Sequence, residues 1–181
     1  MNPTKTNSSL PPRSAQAYPV TASLLREVGL FGALNDQVLE HLIQQLKPSQ
    51  VESGSCVFRE EDPAREFYVV LAGEYEVLKK SRSGRETRVA ILGPHDCFGE
   101  MSVIDMQPRS ATVRALSPGH LLKVSTEDMD SLYRYDLKSY TLIILNIARD
   151  LSRRLRVTDR LLADFTASVL DEYVASGTKR P

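Results

Sequence analysis

The sequence is poor in the groups from which metal, redox and catalytic centres are built. Its two cysteines, Cys56 and Cys97, are far apart and each is set among strand-like residues. That reads as two small buried apolar side chains rather than a disulfide. The three histidines, His41, His95 and His120, show no paired spacing to one another or to a cysteine, so no metal site is expected. Net charge is lacking as well: 23 lysines and arginines balance 23 aspartates and glutamates. Such a balance argues against a chain built mainly to grip nucleic acid or anionic lipid. No apolar stretch approaches the length of a membrane span, and the amino terminus has no hydrophobic signal-peptide core. The expected setting is therefore the cytoplasm, with no membrane partner. With no Ser/His/Asp set, Walker loop or paired catalytic carboxylates, no enzyme is expected.

A chain of 181 residues can bury one good core with an appended helical piece. Residues 1–22, rich in Asn, Ser, Thr and Pro, read as a mobile tail. From Ser23 a helical pattern places Leu24, Leu25 and Val28 on one side, followed by Leu30-Phe31 and a break at Gly32. Asn35 can cap a second helix whose apolar face is Val38, Leu39, Leu42, Ile43 and Leu46, with Pro48 just beyond its end. Between Val51 and Val124 the period shifts toward two. Strands are expected at Cys56 to Phe58, Phe67 to Leu71, Tyr75 to Leu78, Val89 to Leu92, Ala111 to Leu116 and Leu121 to Val124. Ser81 to Arg85 reads as an exposed hairpin turn, and Gly54, Gly73, Gly93 and Gly119 mark further bends. The predicted fold is α+β: a β-roll, a jelly-roll-like double sheet over residues 23–138, with amino-terminal helices and a long carboxy-terminal helix.

One segment interrupts the strands. Phe98-Gly99-Glu100-Met101-Ser102 is followed by Pro108-Arg109-Ser110-Ala111-Thr112-Val113-Arg114-Ala115. An arginine fork can grip two phosphate oxygens and cannot lose its charge. Glu100, nine positions earlier, can accept from a sugar hydroxyl but would repel a bare phosphate. Gly99 and the small residues Ser102, Ser110 and Ala111 leave backbone N–H groups open to complete an anion site. Together these suit a ribose cyclic phosphate. The competing reading is a surface salt bridge between Glu100 and Arg109 on a hairpin, with no ligand.

Phe98 to Ala115 resembles the phosphate-binding cassette of the cyclic nucleotide-binding domain family, and the resemblance spans about residues 23 to 165. It implies a ligand-binding set of Gly99, Glu100, Met101, Ser102, Arg109, Ser110 and Ala111. Family members commonly carry glycine where His95 stands, so the turn leading into the cassette is expected to differ.

After Val124, Ser125-Thr126-Glu127-Asp128 is a helix-start signature. A long helix is expected over residues 139–175, with 176–181 as a polar tail. Ile144, Ala148, Leu151, Leu155, Thr158, Leu162, Phe165 and Val169 recur at steps of four and three, the spacing of a coiled-coil seam. A parallel homodimer is favoured over a helix packed on its own roll. Arg149, Arg153, Arg156 and Arg160 form a stripe beside the seam, read as a solvated flank rather than a nucleic-acid surface. Arg154 lies off that stripe.

The run Arg153-Arg154-Leu155-Arg156-Val157-Thr158 is similar to the dimer helix of the catabolite-activator branch of the family. The likeness implies that Arg154 braces Glu100 and that Thr158 touches the base across the dimer; a polar residue in the seam can also set register. Ser110, where guanine-preferring relatives tend to place threonine, together with Thr158 tilts the ligand toward cyclic AMP, with cyclic GMP as the alternative. No recognition helix fits within Leu170 to Pro181, so binding of nucleic acid by this chain alone is not expected. Two other readings stand beside the sensor: a dimeric docking module for a separate effector protein, and a piece of a longer regulator or channel.

Overall fold

The computed structural model describes the backbone of residues 18–177 and side chains as far as residue 173. The expected tails fall largely outside these residues. The first ends before residue 22, because the Tyr18 hydroxyl donates to the Leu71 carbonyl at 3.0 Å and the ring lies 4.7 Å from that of His120.

Helix α1 (Ala22–Glu27) starts one residue earlier than its apolar pattern suggests. Thr21 caps it, the hydroxyl accepting from Leu24 N–H. Helix α2 (Asp36–Gln45) starts as predicted, with Asn35 Oδ1 accepting from Val38 N–H at 3.0 Å. Eight strands follow among the described residues: β1 (Pro48–Val51), β2 (Cys56–Phe58), β3 (Glu66–Ala72), β4 (Tyr75–Lys80), β5 (Glu86–Leu92), β6 (Cys97–Phe98), β7 (Thr112–Ala115) and β8 (Gly119–Ser125). The five-residue helix α3 (Met101–Asp105) lies between β6 and β7. Helix α4 (Thr126–Tyr135) opens on a capping box in which the Ser125 and Asp128 side chains serve each other's backbone N–H. Helix α5 (Leu137–Gly177) then runs for 41 residues, beginning two residues before the expected Ser139.

The strands form two antiparallel four-stranded sheets, ordered β1-β8-β3-β6 and β2-β7-β4-β5. This is the predicted double-sheet roll, and the period-two pattern explains it. In β3, Phe67, Val69 and Leu71 point to one face and pack with Leu25, Phe31, Leu39, Leu132, Ile143 and Ile147 of the helical layer. Val70 points to the other face and meets Tyr75, Phe98, Val113 and Leu121 between the sheets. Strand β3 is thus buried on both faces, which accounts for its nearly unbroken apolar run.

Two strands escaped the pattern. β1 carries only four residues, two of them exposed, and β6 only two, too few for a period to register. Gly119, expected at a bend, opens β8 instead. A Cβ there would sit 2.3 Å from the Ala72 carbonyl oxygen and 2.6 Å from the Tyr75 hydroxyl, so the side chain is excluded by close backbone approach. The expectation for cysteine also needs correction: Cys97 is buried, but Cys56 is exposed, and both thiols are free. Cys56 opens β2, where the pairing with β7 shifts register between Cys56 and Phe58, and that irregularity leaves its side chain outside the sandwich.

Helix α5 divides along its length. Ser139, Ile143 and Ile147 are buried against the roll, and Arg154 is half-buried. From Leu155 onward every described side chain is exposed, including Leu155, Leu162, Phe165 and Val169 of the expected seam. These later seam positions do not pack on this chain's own roll, whereas Ile144 and Leu151 at its start lie half-buried against the core. No helix among the described residues is long and apolar enough to cross a membrane.

Gly119→Ala is expected to destabilise the fold by about 1–3 kcal/mol, since Ala72 and Tyr75 are both held by the sheet. A urea melt gives the value; a midpoint equal to wild type would show that the strands relax to admit the methyl group.

Candidate ligand site between the cassette and helix α5

The cassette is a turn and a short helix slung between β6 and β7, and its main chain is tied down on both sides. Arg109 N–H donates to the Asp62 carbonyl and Glu61 N–H donates to the Arg109 carbonyl, each at 2.9 Å. These bonds fasten it to the loop between β2 and β3. On the other side Lys79 Nζ, from β4, donates to the Ser110 carbonyl and to Glu60 Oε1, both at 2.5 Å.

This bracing carries Arg109 inward until it is 1% exposed. Its Nη1 donates to the Glu66 carbonyl at 2.7 Å and to the Gly99 carbonyl at 3.1 Å. Its Nη2 donates to Glu66 Oε1 at 2.9 Å. The guanidinium carbon lies 4.0 Å from the centre of the Phe58 ring, a cation–π contact. Nε is buried and has no hydrogen-bond partner among the described residues, although a buried donor is ordinarily satisfied. Gly99 makes room for this arrangement: its φ is +80°, and a Cβ would stand 2.5 Å from Arg109 Nη1.

Glu100 sits at the opposite pole, 2% exposed, at the start of α3. Arg154 reaches it from α5, Nη1 lying 3.3 Å from Glu100 Oε1. Arg154 is held in turn by the Cys97 carbonyl at 2.8 Å and by Asp150, whose Oδ2 is 2.8 Å from Arg154 Nε. Burial holds the Glu100 carboxyl above its ordinary range, partly opposed by the Arg154 charge. Burial also pushes the Cys97 thiol up to about 12, with the Glu100 charge adding to it.

Both poles open on one cavity of about 330 Å³, within the range of roughly 300–1,000 Å³ usual for small-molecule sites. Gly99, Glu100, Met101, Ser102, Arg109, Ser110, Ala111 and Arg154 all line it, with Phe58, Val77, Ile91, Leu92, Phe98 and Val113 as its apolar walls. Thr158 does not. It is exposed, and its hydroxyl donates to the Arg154 carbonyl within α5. The alternative of a surface salt bridge fails: Glu100 and Arg109 are both buried, and each has a different partner.

Three features escaped sequence reading. Glu66, the counter-ion of Arg109, lies 43 positions away with no local motif to mark it. Asp150 escaped although a local signal marks it, since it precedes Arg154 by one helical turn. The apolar walls come from five strands and resemble ordinary core. His95, unusual for its position, has φ +74°, a left-handed conformation that glycine adopts most readily, and its Nε2 is 3.3 Å from Glu27 of α1.

The model of the cyclic nucleotide-binding domain matches residues 48–136. A CRP-like cAMP-activated global transcriptional regulator of Mycobacterium tuberculosis is 30% identical over 141 residues, covering 78% of this chain and 61% of that one. The N-terminal domain of a transcriptional regulator from Streptomyces coelicolor superposes with a TM-score of 0.65 at 31% identity, over 72% of this chain and 94% of that domain. The chain belongs to the cyclic nucleotide-binding domain family. The catabolite activator protein of Thermus thermophilus is similar as well, with a TM-score of 0.67 at 30% identity over 76% of this chain and 63% of that one. This cyclic nucleotide-binding sensor domain spans about three fifths of the length of the M. tuberculosis regulator.

The raised Glu100 carboxyl has a consequence for stability. As pH rises past the ordinary carboxylate range, the unfolded chain releases this proton while the folded chain still holds it. Stability fully present below that range is therefore lost as pH climbs through the folded value. Glu100→Gln is expected to raise the melting temperature of the nucleotide-free protein at pH 7, with the gain vanishing below about pH 4.5. Equal melting curves at pH 7 would show that Arg154 fully offsets the burial.

Proposed function

We propose that this cavity binds a cyclic mononucleotide, cyclic AMP in preference to cyclic GMP, and that α5 reports its presence. The observation that carries the reading is the partnerless Nε–H of Arg109 beside a cavity whose far pole is a carboxylate. A phosphodiester oxygen supplies the acceptor that Nε lacks, and Glu100 accepts from the ribose 2′-hydroxyl. Phe58, Val77, Ile91 and Leu92 give the base an apolar slot. Ser110 beside the phosphate pole, and Thr158 brought in by a second copy, supply the preference for adenine.

The second copy follows from the exposed seam. Leu155, Leu162, Phe165 and Val169 form a stripe at the spacing of a parallel coiled coil. The Mycobacterium tuberculosis relative is described as cAMP-activated, which supports the choice of ligand.

Calorimetry tests the ligand. Wild-type protein is expected to bind cyclic AMP more tightly than cyclic GMP. Arg109→Ala should weaken cyclic AMP by roughly 30-fold to several thousandfold, the loss typical of one partner of a desolvated charge pair. Unchanged affinity would remove Arg109 from the phosphate. Sedimentation tests the seam: a dimer is expected for wild type and a monomer for Leu162→Asp, whose charge cannot be buried between helices. A wild-type monomer at all concentrations would overturn it.

A further inference from the structure

The cavity is bounded by more acid than base. Arg109 and Arg154 are its guanidinium groups, while Glu100 and Asp96 line it and Glu66 and Asp150 lie directly behind the two arginines. Each cation is already matched. Arg109 is paired with Glu66 at 2.9 Å, and Arg154 with Glu100 and Asp150. Glu66 is itself fixed: the Tyr68 hydroxyl donates to the same Oε1 at 3.2 Å, and its backbone carbonyl holds Arg109 Nη1. Burial and then the charge of Glu66 push the Tyr68 phenol up to about 12, so that hydroxyl remains a donor at physiological pH.

From this we propose that Glu66 is a specificity-determining residue that filters ligands by charge, admitting a singly charged phosphodiester and rejecting a doubly charged phosphomonoester. The inference rests on the cyclic-nucleotide reading above. A phosphate bonded to Arg109 Nε and a carboxylate bonded to Nη2 share one guanidinium, and the width of that group sets how far apart they stand. One negative charge on the ligand completes the coordination of Arg109. A second finds no unmatched cation and meets the Glu66 carboxylate across the same fork. At the effective dielectric of a partly buried site, one additional like-charge contact at such range lowers affinity on the order of tenfold to a hundredfold. Glu66 would thus separate the cyclic ester from the open-chain monophosphate formed when it is hydrolysed, independently of the shape of the ring.

Three adenosine ligands separate charge from shape: cyclic AMP, adenosine 5′-monophosphate, and the methyl ester of that monophosphate. The last is uncyclised yet carries a single charge. At pH 8 the monophosphate is a dianion, its second pKa lying near 6. Affinities are read by competition against a fluorescent cyclic nucleotide. The wild type is expected to prefer the methyl ester over the monophosphate by about tenfold or more, and Glu66→Gln to shrink that ratio at least about fivefold. Glu66→Ala should shrink it likewise while weakening all three ligands, because the acceptor that orients Nη2 is gone. A ratio that is the same in wild type and both variants overturns the filter, as does failure of both uncyclised ligands to compete with Glu66→Gln at millimolar concentration. Either result, with cyclic AMP still binding, sinks the filter alone. If wild type binds no cyclic nucleotide, the underlying function falls and the filter falls with it.

Discussion

A guanidinium group held at 1% exposure is the constraint from which this molecule's arrangement follows. An unpaired charge in a protein interior is too costly to persist, so the chain must bring acceptors to it from several directions. It does so with one carboxylate and two backbone carbonyls, and it sets an aromatic ring against the guanidinium face. These come from β3, from the turn after β6 and from β2. The glycine at that turn is required because a Cβ would occupy the space of the guanidinium itself. What the described residues do not provide is an acceptor for Nε, and a buried donor left without one is a place where structure yields to binding.

At the other pole the same physics acts with opposite sign. Glu100 is buried among groups that do not fully offset the removal of water, and its carboxyl is held upward. A fold selected for stability alone would place an amide or an apolar side chain there. Such local inconsistency between burial and charge is what functional sites look like when the rest of a fold is self-consistent. The remainder of the roll is self-consistent: Glu76, 3% exposed, is drawn below its ordinary value by hydrogen bonds first from Arg114 and then from Arg88.

The sequence made the roll and the cassette legible for different reasons. Phe67, Val69 and Leu71 alternate with Tyr68 and Val70 because the sheet has two distinct faces, and Asn35 and Ser125 announce their helices because a cap is a local hydrogen bond between near neighbours. Glu100 and Arg109 stand out because their spacing within one short segment is fixed. Glu66 could not be found this way: it is one carboxylate ahead of an apolar run, and only the pairing of β3 with β6 brings it beneath Arg109. Cys56 was misjudged because β2 is three residues long and its register slips, so alternation no longer assigns a face. Helix α5 displayed a seam in sequence, yet its buried residues near the roll, Ile143 and Ile147, lie beside that seam. Two stripes share the helix, and a periodicity argument sees only the longer.

Those two stripes bear on how a signal could leave the site. Helix α5 packs on the roll through Ile143 and Ile147, and beyond Arg154 it stands clear of it. Arg154 is therefore the last tether, shared among Glu100, the Cys97 carbonyl and Asp150. A ligand shifts the helix only by as much as its affinity differs between helix positions. If a sugar hydroxyl engages Glu100 on the proposed reading, it does so on the carboxylate that Arg154 now holds, and the tether is strengthened or released according to whether both can bind at once. Asp150 keeps Arg154 neutralised in either case, because it lies on the same helix one turn away and moves with it. On the proposed reading a shift of the helix would carry Arg154 away as a matched pair with Asp150, and Glu100 alone would be left for the ligand to satisfy.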